Sequence, residues 1–274
     1  MEKKDFKFKK EFGQNFIFDK NFLESVVRDI SLEKSSQILE IGAGMGTLSE
    51  CLANNFKRVV SYEIDKTLTE HLNNLATKYD NLSFVFKDIM EEKIENIDKL
   101  FDNKQYFMIA NLPYYITSPI IFKFLFDSQY IAKMFVMVQK EVGERFCAKP
   151  NSKDYGASTV LINTFGQCQI IKNVSRKMFT PMPKVDSCII EIDINKKKYN
   201  IDNLQEYKEF INSCFKMKRK TLYNNLSQNF YDKDKIKEII HNLSLNVSVR
   251  PEELSTDDFY KLYINLKKHT KLIQ

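Results

Sequence analysis

Glu40-Ile41-Gly42-Ala43-Gly44-Met45-Gly46 decides how the rest of this 274-residue chain is read. The stretch closes the apolar run Gln37-Ile38-Leu39-Glu40-Ile41. It opens into Thr47–Asn55, where Leu48, Cys51 and Leu52 recur at helical spacing. A buried strand that ends at glycines and leads into a helix is the context of a nucleotide-type cofactor turn. Glycines let the backbone approach a ligand, and the helix N-terminus offers N–H groups. Dehydrogenases and methyltransferases share such a turn, and a bare tight connection has the same look, so the flanking residues must decide.

Upstream, Phe22, Val26, Val27 and Ile30 fall on one helical face. Downstream, Arg58–Glu63 reads as a second strand, Leu68–Tyr79 as a helix, and Leu82–Phe86 as a third strand ending at Lys87-Asp88. Tyr106–Ala110 reads as a fourth strand ending at Asn111. Pro119–Phe126 opens a helix, and Lys133–Val138 is a fifth strand. Strands and helices alternating at about 20–25 residues per repeat predict an α/β fold, a parallel sheet with helices on both faces. Val185–Ile194 alternates more cleanly and is expected as an antiparallel edge strand. From Leu204 onward helical patterns dominate. The expected boundary therefore lies near residue 195, with residues 1–195 as the α/β domain and 196–274 as a small helical one.

The strand ends sharpen the reading of the turn. Glu63 lies 21 positions after Gly42, where an acid suits a ribose diol. Asp88 ends the third strand, where it suits an adenine amino group. Each alone reads equally well as a solvated loop acid or helix cap. Together beside the glycines they favour a ligand, because doubly wound sheets bind at the carboxyl ends of their strands. The spacing is GxGxG, with Thr47 where a dehydrogenase loop places its third glycine. This leans from NAD toward S-adenosylmethionine, whose methionine part carries no phosphate.

Asn111-Leu112-Pro113-Tyr114 follows the fourth strand at the same rim. The exocyclic amino group of adenine is a poor nucleophile because its lone pair is delocalised into the ring. An amide oxygen from Asn111 and a nearby backbone carbonyl can accept both of its hydrogens and aim the nitrogen at a methyl sulfonium. Pro113 stiffens the loop, and Tyr114 offers a flat face to a base taken out of its stack. An ordinary strand-to-helix turn is the competing reading.

With these residues in place, the chain resembles the ribosomal RNA adenine dimethyltransferases over nearly its full length. The leader Phe12-Gly13-Gln14-Asn15-Phe16, the glycine turn and the tetrad are shared across that superfamily. Five further blocks resemble its bacterial small-subunit branch (KsgA/RsmA). They are Val138–Val142 with Glu144-Arg145, Ser152–Gly156, Phe179–Ser187, Lys218–Leu222 and Arg250–Ser255. The resemblance implies a Rossmann-like class I methyltransferase sheet. It implies transfer of two methyl groups from S-adenosylmethionine to N6 of each of two adjacent adenosines in the 3′-terminal hairpin loop of 16S ribosomal RNA. A partly assembled 30S ribosomal subunit is the implied substrate. It further implies that Asn15, Ile17, Gly42, Gly44, Glu63, Asp88 and Asn111 bind the cofactor. The tetrad Asn111, Leu112, Pro113 and Tyr114 is implied as catalytic, and Phe179 as an aromatic that stacks on the target base. Lys218, Arg219, Lys220, Arg145 and Lys184 are implied to contact RNA. The chain departs from the family at Ala43, Met45 and Tyr115, where Pro, Leu and Asn are frequent, and at Asn151, where glycine is frequent. None of these removes a group with a named chemical role.

Composition agrees with these readings and excludes others. Lys and Arg total 42 against 36 Asp and Glu, a net charge of +6 that permits a nucleic-acid partner without demanding one. The basic leader Lys3, Lys4, Lys7, Lys9 and Lys10, and the cluster Lys216, Lys218, Arg219 and Lys220 beside Phe215 and Tyr223, suit phosphate neutralisation. Solvated charge runs look the same. Met178 and Phe179, with Pro181 and Pro183, suit plain packing as well as stacking. No apolar run reaches the roughly 18–20 residues of a membrane helix, so no membrane partner is expected. The N-terminus lacks the apolar core of a secretory signal. The five cysteines are scattered, without CxxC, as in a reduced cytoplasmic protein, and the three histidines form no metal motif. A monomer is expected. The alternatives are a large-subunit resistance methyltransferase, a non-catalytic assembly factor and a dehydrogenase. The late blocks oppose the first, the intact tetrad the second and the glycine spacing the third.

Overall fold

A computed structural model describes residues 15–194, 198–228 and 232–269 of the chain. The basic leader from Lys3 to Lys10, and Phe12, Gly13 and Gln14, lie outside the described residues.

The apolar runs form strands because both of their faces find cover. In β1 (Phe16–Ile17), α1 (Lys20–Asp29), β2 (Gln37–Ile41), α2 (Thr47–Asn55) and β3 (Arg58–Tyr62) the pattern is already set. The last four residues of β2 and of β3 are buried, as in a parallel strand sandwiched between helices. The alternation continues through α3 (Thr69–Ala76), β4 (Leu82–Val85), α4 (Ile94–Leu100), β5 (Tyr106–Asn111), α5 (Thr117–Asp127), β6 (Ile131–Gln139) and α6 (Lys140–Phe146). Next come α7 (Ala157–Phe165), β7 (Gly166–Val174), β8 (Phe179–Thr180) and β9 (Ser187–Ile194). The chain ends in α8 (Leu204–Cys214), α9 (Leu222–Leu226), α10 (Lys233–Asn242) and α11 (Thr256–His269).

Seven strands make one sheet in the order β4-β3-β2-β5-β6-β9-β7, and β1 pairs with β8 in a separate ribbon. Strands β2 to β6 run parallel, and β9 runs antiparallel to β6. The chain winds outward from β2 to β4, then crosses back to β5 and winds the other way. The order therefore reverses between β2 and β5, the place where such sheets open a crevice for ligands. This is the expected class I methyltransferase sheet. One detail differs from expectation. The antiparallel strand β9 is not an edge, because β7 lies outside it. β7 carries the polar mixture Gly166-Gln167-Cys168-Gln169, mostly unburied, which gives no strand signal in sequence.

The chain divides into two compact units. The first comprises residues 1–143 and 169–194, and the second residues 144–168 and 195–274. The reading that put everything before residue 195 into one domain thus differs at 144–168, which the chain spends among the helices of the second unit. Within that unit Thr159 Oγ1 donates to the Arg145 carbonyl at 2.6 Å, and Tyr155 Oη donates to the Leu254 carbonyl at 2.9 Å. Its core is aromatic. Tyr207 meets Tyr263 edge-on at 5.0 Å, and Phe215 lies 5.4 Å from Phe259. In the first unit a large cluster including Leu23, Val26, Leu52, Val59 and Ile109 packs α1 and α2 against the sheet. All five cysteines are free thiols. Among the described residues no helix is long and apolar enough to cross a membrane. None of their His, Cys, Asp and Glu side chains group in threes to hold a metal ion.

Candidate active site

The site lies in the first unit, at the carboxyl ends of β2 to β5. After Ile41 the backbone turns through Gly42, Gly44 and Gly46, all at positive φ. The N–H groups of Gly42 and Ala43 both donate to the Tyr62 carbonyl, at 2.8 and 3.2 Å, which ties the turn to the end of β3. Gly44 is the tightest point. A Cβ there would sit 2.5 Å from a ring carbon of Phe16, so the aromatic covers the turn only because the residue is glycine.

Glu63 follows β3 and is 6% exposed. Its Oε2 accepts from the Gly44 N–H at 2.7 Å and its Oε1 from the Asp65 N–H at 2.8 Å. Burial pushes this carboxyl above the usual carboxylate range, and the backbone N–H groups of Asp65, Gly44 and Ile64 pull it back. A carboxylate has about four lone-pair sites, so capacity remains to accept from a ligand hydroxyl. Asp88 follows β4 and accepts from the Met90 N–H at 2.8 Å, which fixes its carboxylate at the rim.

Asn111 ends β5. Its Nδ2 donates to the Asn15 main-chain carbonyl at 2.9 Å. A carbonyl oxygen only accepts, so the atom facing it must be the nitrogen, and Oδ1 is left as the acceptor on the other side of the group. The next residues turn sharply. The Pro113 carbonyl accepts from the Ile116 N–H at 3.1 Å and from Thr117 Oγ1 at 3.0 Å, launching α5. Tyr114 Oη and Ser187 Oγ are 2.7 Å apart, so the half-buried ring is held from the first residue of β9. Burial raises the Tyr114 hydroxyl, which stays protonated at neutral pH.

One cleft is lined by Asn15, Gly42, Gly44, Glu63, Asp88 and the whole tetrad from Asn111 to Tyr114. Most of the residues singled out from sequence therefore meet in one place. Ile17 does not line it. It is the buried residue of β1 and borders a neighbouring apolar hollow, which shares Phe16, Gly42 and Asn111 with the cleft. Phe179 also departs from expectation. It is 3% exposed, pairs with Ile17 across the β1–β8 ribbon and packs in the cluster with Leu23 and Met137. Its ring is enclosed by core and not offered to the cleft, because β8 turns that face inward. Lys184 is exposed in the first unit, and Arg145, Lys218, Arg219 and Lys220 are exposed in the second.

The cleft has further residues that sequence reading does not place there, among them Phe16, Lys87, Ile64 and Tyr115. Phe16 covers Gly44, Lys87 pairs with Glu92 at 2.8 Å, and Ile64 and Tyr115 stand exposed at the wall, Tyr115 by 62%. Ile64 and Lys87 adjoin Glu63 and Asp88, and that adjacency was the available signal. Ser187, which holds Tyr114, is separated from it by 73 positions and gave none.

Residues 5–268 match the family model described as ribosomal RNA adenine dimethylase. The chain belongs to the ribosomal RNA adenine dimethylase family. Ribosomal RNA small subunit methyltransferase A of Caldanaerobacter subterraneus is 40% identical over 258 residues, covering 93% of this chain and 96% of the relative. Its counterpart of the same name in Bacillus cytotoxicus is 35% identical, covering 98% and 94%. Among solved structures, a dimethyladenosine transferase from Plasmodium falciparum superposes with a TM-score of 0.80 at 25% identity, covering 92% of this chain and 98% of that one. The 23S rRNA methyltransferase ErmE superposes at 0.70 with 22% identity, covering 92% and 100%, a likeness of fold. The glycine turn, the two strand-end acids and the tetrad line one cleft of this chain.

Proposed function

We propose that this dimethylase transfers methyl groups from S-adenosylmethionine to N6 of adenosine in 16S ribosomal RNA, two on each of two adjacent adenosines of the 3′-terminal hairpin loop. The observation that carries the reading is the anchoring of Asn111 through its nitrogen, which leaves an amide oxygen at a cleft bounded by the glycine turn, Glu63 and Asp88.

The residues present fit the donor. Glu63 supplies acceptors for a ribose diol and Asp88 an acceptor for an adenine amino group, with Ile64, Ile89 and Ile116 as apolar walls for the ring. When bound, S-adenosylmethionine supplies an electrophilic methyl on a positively charged sulfonium. Asn111 Oδ1 accepts one hydrogen of the target amino group. The second acceptor is the Leu112 carbonyl. The Pro113 carbonyl is already engaged by Ile116 and Thr117, whereas no donor meets that of Leu112 among the described residues. Two acceptors pull the amino nitrogen toward a tetrahedral geometry and localise its lone pair for in-line attack. The proton displaced by methylation leaves to solvent, and no general base is needed. After one transfer a single N–H remains to be held. After two there is none, so the doubly methylated product loses these contacts and departs. Tyr114, steadied by Ser187, gives the base a face to stack on.

The helices of the second unit, with Arg145, Lys218, Arg219 and Lys220, bind RNA by shape and phosphate, and Lys184 of the first unit adds a phosphate contact. The substrate particle is the 30S subunit, the protein acts as a monomer, and its compartment is the cytoplasm.

The test is incubation with radiolabelled S-adenosylmethionine and either unmethylated 30S subunits or large-subunit RNA, followed by primer-extension mapping. Label confined to two adjacent adenosines of the 3′-terminal loop is expected. Label on large-subunit RNA alone, or on neither, would overturn the proposal.

A further inference from the structure

The segment between α8 and α9 carries Lys216, Lys218, Arg219 and Lys220, all exposed. The Lys220 N–H donates to the Met217 carbonyl at 3.0 Å, closing a four-residue turn with Lys218 and Arg219 at its two corners. Most cations of this protein with a described contact have an acid beside them, as Lys133, Lys172, Lys235 and Lys267 do. Lys218, Arg219 and Lys220 have no carboxylate within ion-pair distance among the described residues. Like charges crowded into a turn repel, and an isolated turn would relax by opening.

What prevents this is a side chain from the next helix. Asn225 of α9 is fully buried. Its Oδ1 accepts from the Met217 N–H at 2.8 Å. Its Nδ2 faces the carbonyls of Met217, Lys220 and Thr221 at 3.2, 3.4 and 3.2 Å. One carboxamide therefore holds the first and last residues of the turn at once. The flanks are fixed too. Phe215 packs against Tyr155 and Phe259, and the Leu222 N–H donates to the Val249 carbonyl at 2.8 Å. The interior of the turn is thus satisfied by a buried amide, while its exterior is an unneutralised triad of cations.

We infer that Asn225 is the positioning residue of a phosphate-binding turn, holding Met217–Lys220 so that Lys218, Arg219 and Lys220 grip the sugar-phosphate backbone of structured RNA. This rests on the RNA-methylating reading above. The chemistry it fits is a run of phosphodiesters at fixed spacing. A pre-formed turn meets them without the ordering cost that a mobile lysine loop would incur.

The experiment measures binding of the isolated 3′-terminal 16S hairpin and of unmethylated 30S subunits over a range of salt. It compares the wild type, Asn225→Ala, the triple variant Lys218→Ala/Arg219→Ala/Lys220→Ala, and all four changes combined. Asn225→Ala keeps every charge, yet should weaken RNA binding about tenfold and flatten the salt dependence by about one to two phosphate equivalents. Its affinity for S-adenosylmethionine should be unchanged. The triple variant should lose more, and adding Asn225→Ala to it should cost nothing further, since the amide acts through the cations. Hydrogen exchange on the wild-type protein without RNA covers the case in which Asn225→Ala does not fold. The Met217 and Lys220 amides should then be protected. Wild-type RNA affinity in Asn225→Ala, an additive loss in the combined variant, or unprotected turn amides would overturn the inference and leave the methylation reading standing. A triple variant that binds and methylates 30S subunits like the wild type would instead overturn the reading of this face as RNA-binding.

Discussion

Replacing Glu40 with glutamine tests how the floor of the glycine turn is built. Glu40 sits in β2 directly before Ile41 and Gly42 and is fully buried. Its Oε2 accepts from Ser49 Oγ of α2 and from Ser61 Oγ of β3, each at 2.5 Å, and its Oε1 has no partner among the described residues. Burial pushes this carboxyl from the ordinary 4.5 up to about 7, against the pull of the two serine hydroxyls, and the charge of Glu63 adds to the rise. The folded protein therefore holds a proton that the unfolded chain has released between these two values. Folded-state binding exceeds unfolded-state binding there, so stability falls as pH rises through that window and levels off above about pH 7. At about 1.36 kcal/mol per pKa unit the full loss is about 3 kcal/mol, and most of it falls between pH 5 and pH 8.5. Glutamine keeps an oxygen for the two serines and cannot ionise. The burial of its amide nitrogen costs the same at both pH values and cancels in the comparison. Glu63, raised in the same direction by its own burial, titrates in both proteins, so its burial contribution appears on both sides of the comparison. The assay is thermal unfolding of both proteins by circular dichroism at the two pH values. The wild type should lose about 5–10 °C more than Glu40→Gln on going from pH 5 to pH 8.5. An equal loss in the two proteins would refute the assignment of the buried proton to Glu40.

Asn111→Ala should lower kcat by about 10²- to 10³-fold while leaving RNA affinity nearly unchanged, since its hydrogen bonds matter most at the transition state. Single-turnover kinetics with filter binding checks this, and a collapse of RNA affinity with turnover intact would assign Asn111 to binding. Gly44→Ala should weaken S-adenosylmethionine binding by roughly tenfold in calorimetry, because the new methyl group displaces Phe16 from the turn. Unchanged cofactor affinity would mean that Phe16 has no part in the cleft. Ser187→Ala should free the Tyr114 ring and cost about tenfold in kcat/KM for RNA with cofactor binding intact, read by steady-state kinetics at saturating donor. An equal loss of cofactor binding would place the tyrosine elsewhere.

The parallel strands were legible because each is a short apolar run buried on both faces, and their parallel direction followed from the helices between them. The acids and the tetrad were legible because a doubly wound sheet collects its ligand residues at strand ends, so Glu63, Asp88 and Asn111 could be placed by counting. β7 was not legible, since an outer strand with polar residues on both faces has neither an apolar run nor alternation. Its invisibility is what made β9 look like an edge. The excursion of residues 144–168 into the second unit was equally hidden, because a linear reading has no means to see a chain leave a domain and return. Phe179 illustrates a further limit. An aromatic between a 3₁₀ turn and prolines suits stacking and packing alike, and only the pairing of β8 with β1 shows which way its ring turns. The site contacts missed from sequence, Phe16 on Gly44 and Ser187 on Tyr114, join residues far apart in the chain and have no local signature.

Because Phe16 and Ile17 find their strand partners only at Thr180 and Phe179, the cleft is closed by parts of the chain that are made at different times. A nascent chain that has emerged as far as α5 already carries the glycine turn, Glu63, Asp88 and the tetrad. It lacks the strand that fixes the segment whose Asn15 carbonyl receives the Asn111 amide. At about 5–20 residues per second, translation leaves that gap open for several seconds, and such long-range pairings are the slow ones to form. A chain broken off before Phe179 therefore carries six of the seven sheet strands and every residue lining the cleft, yet lacks the partner that pairs with Phe16 and Ile17.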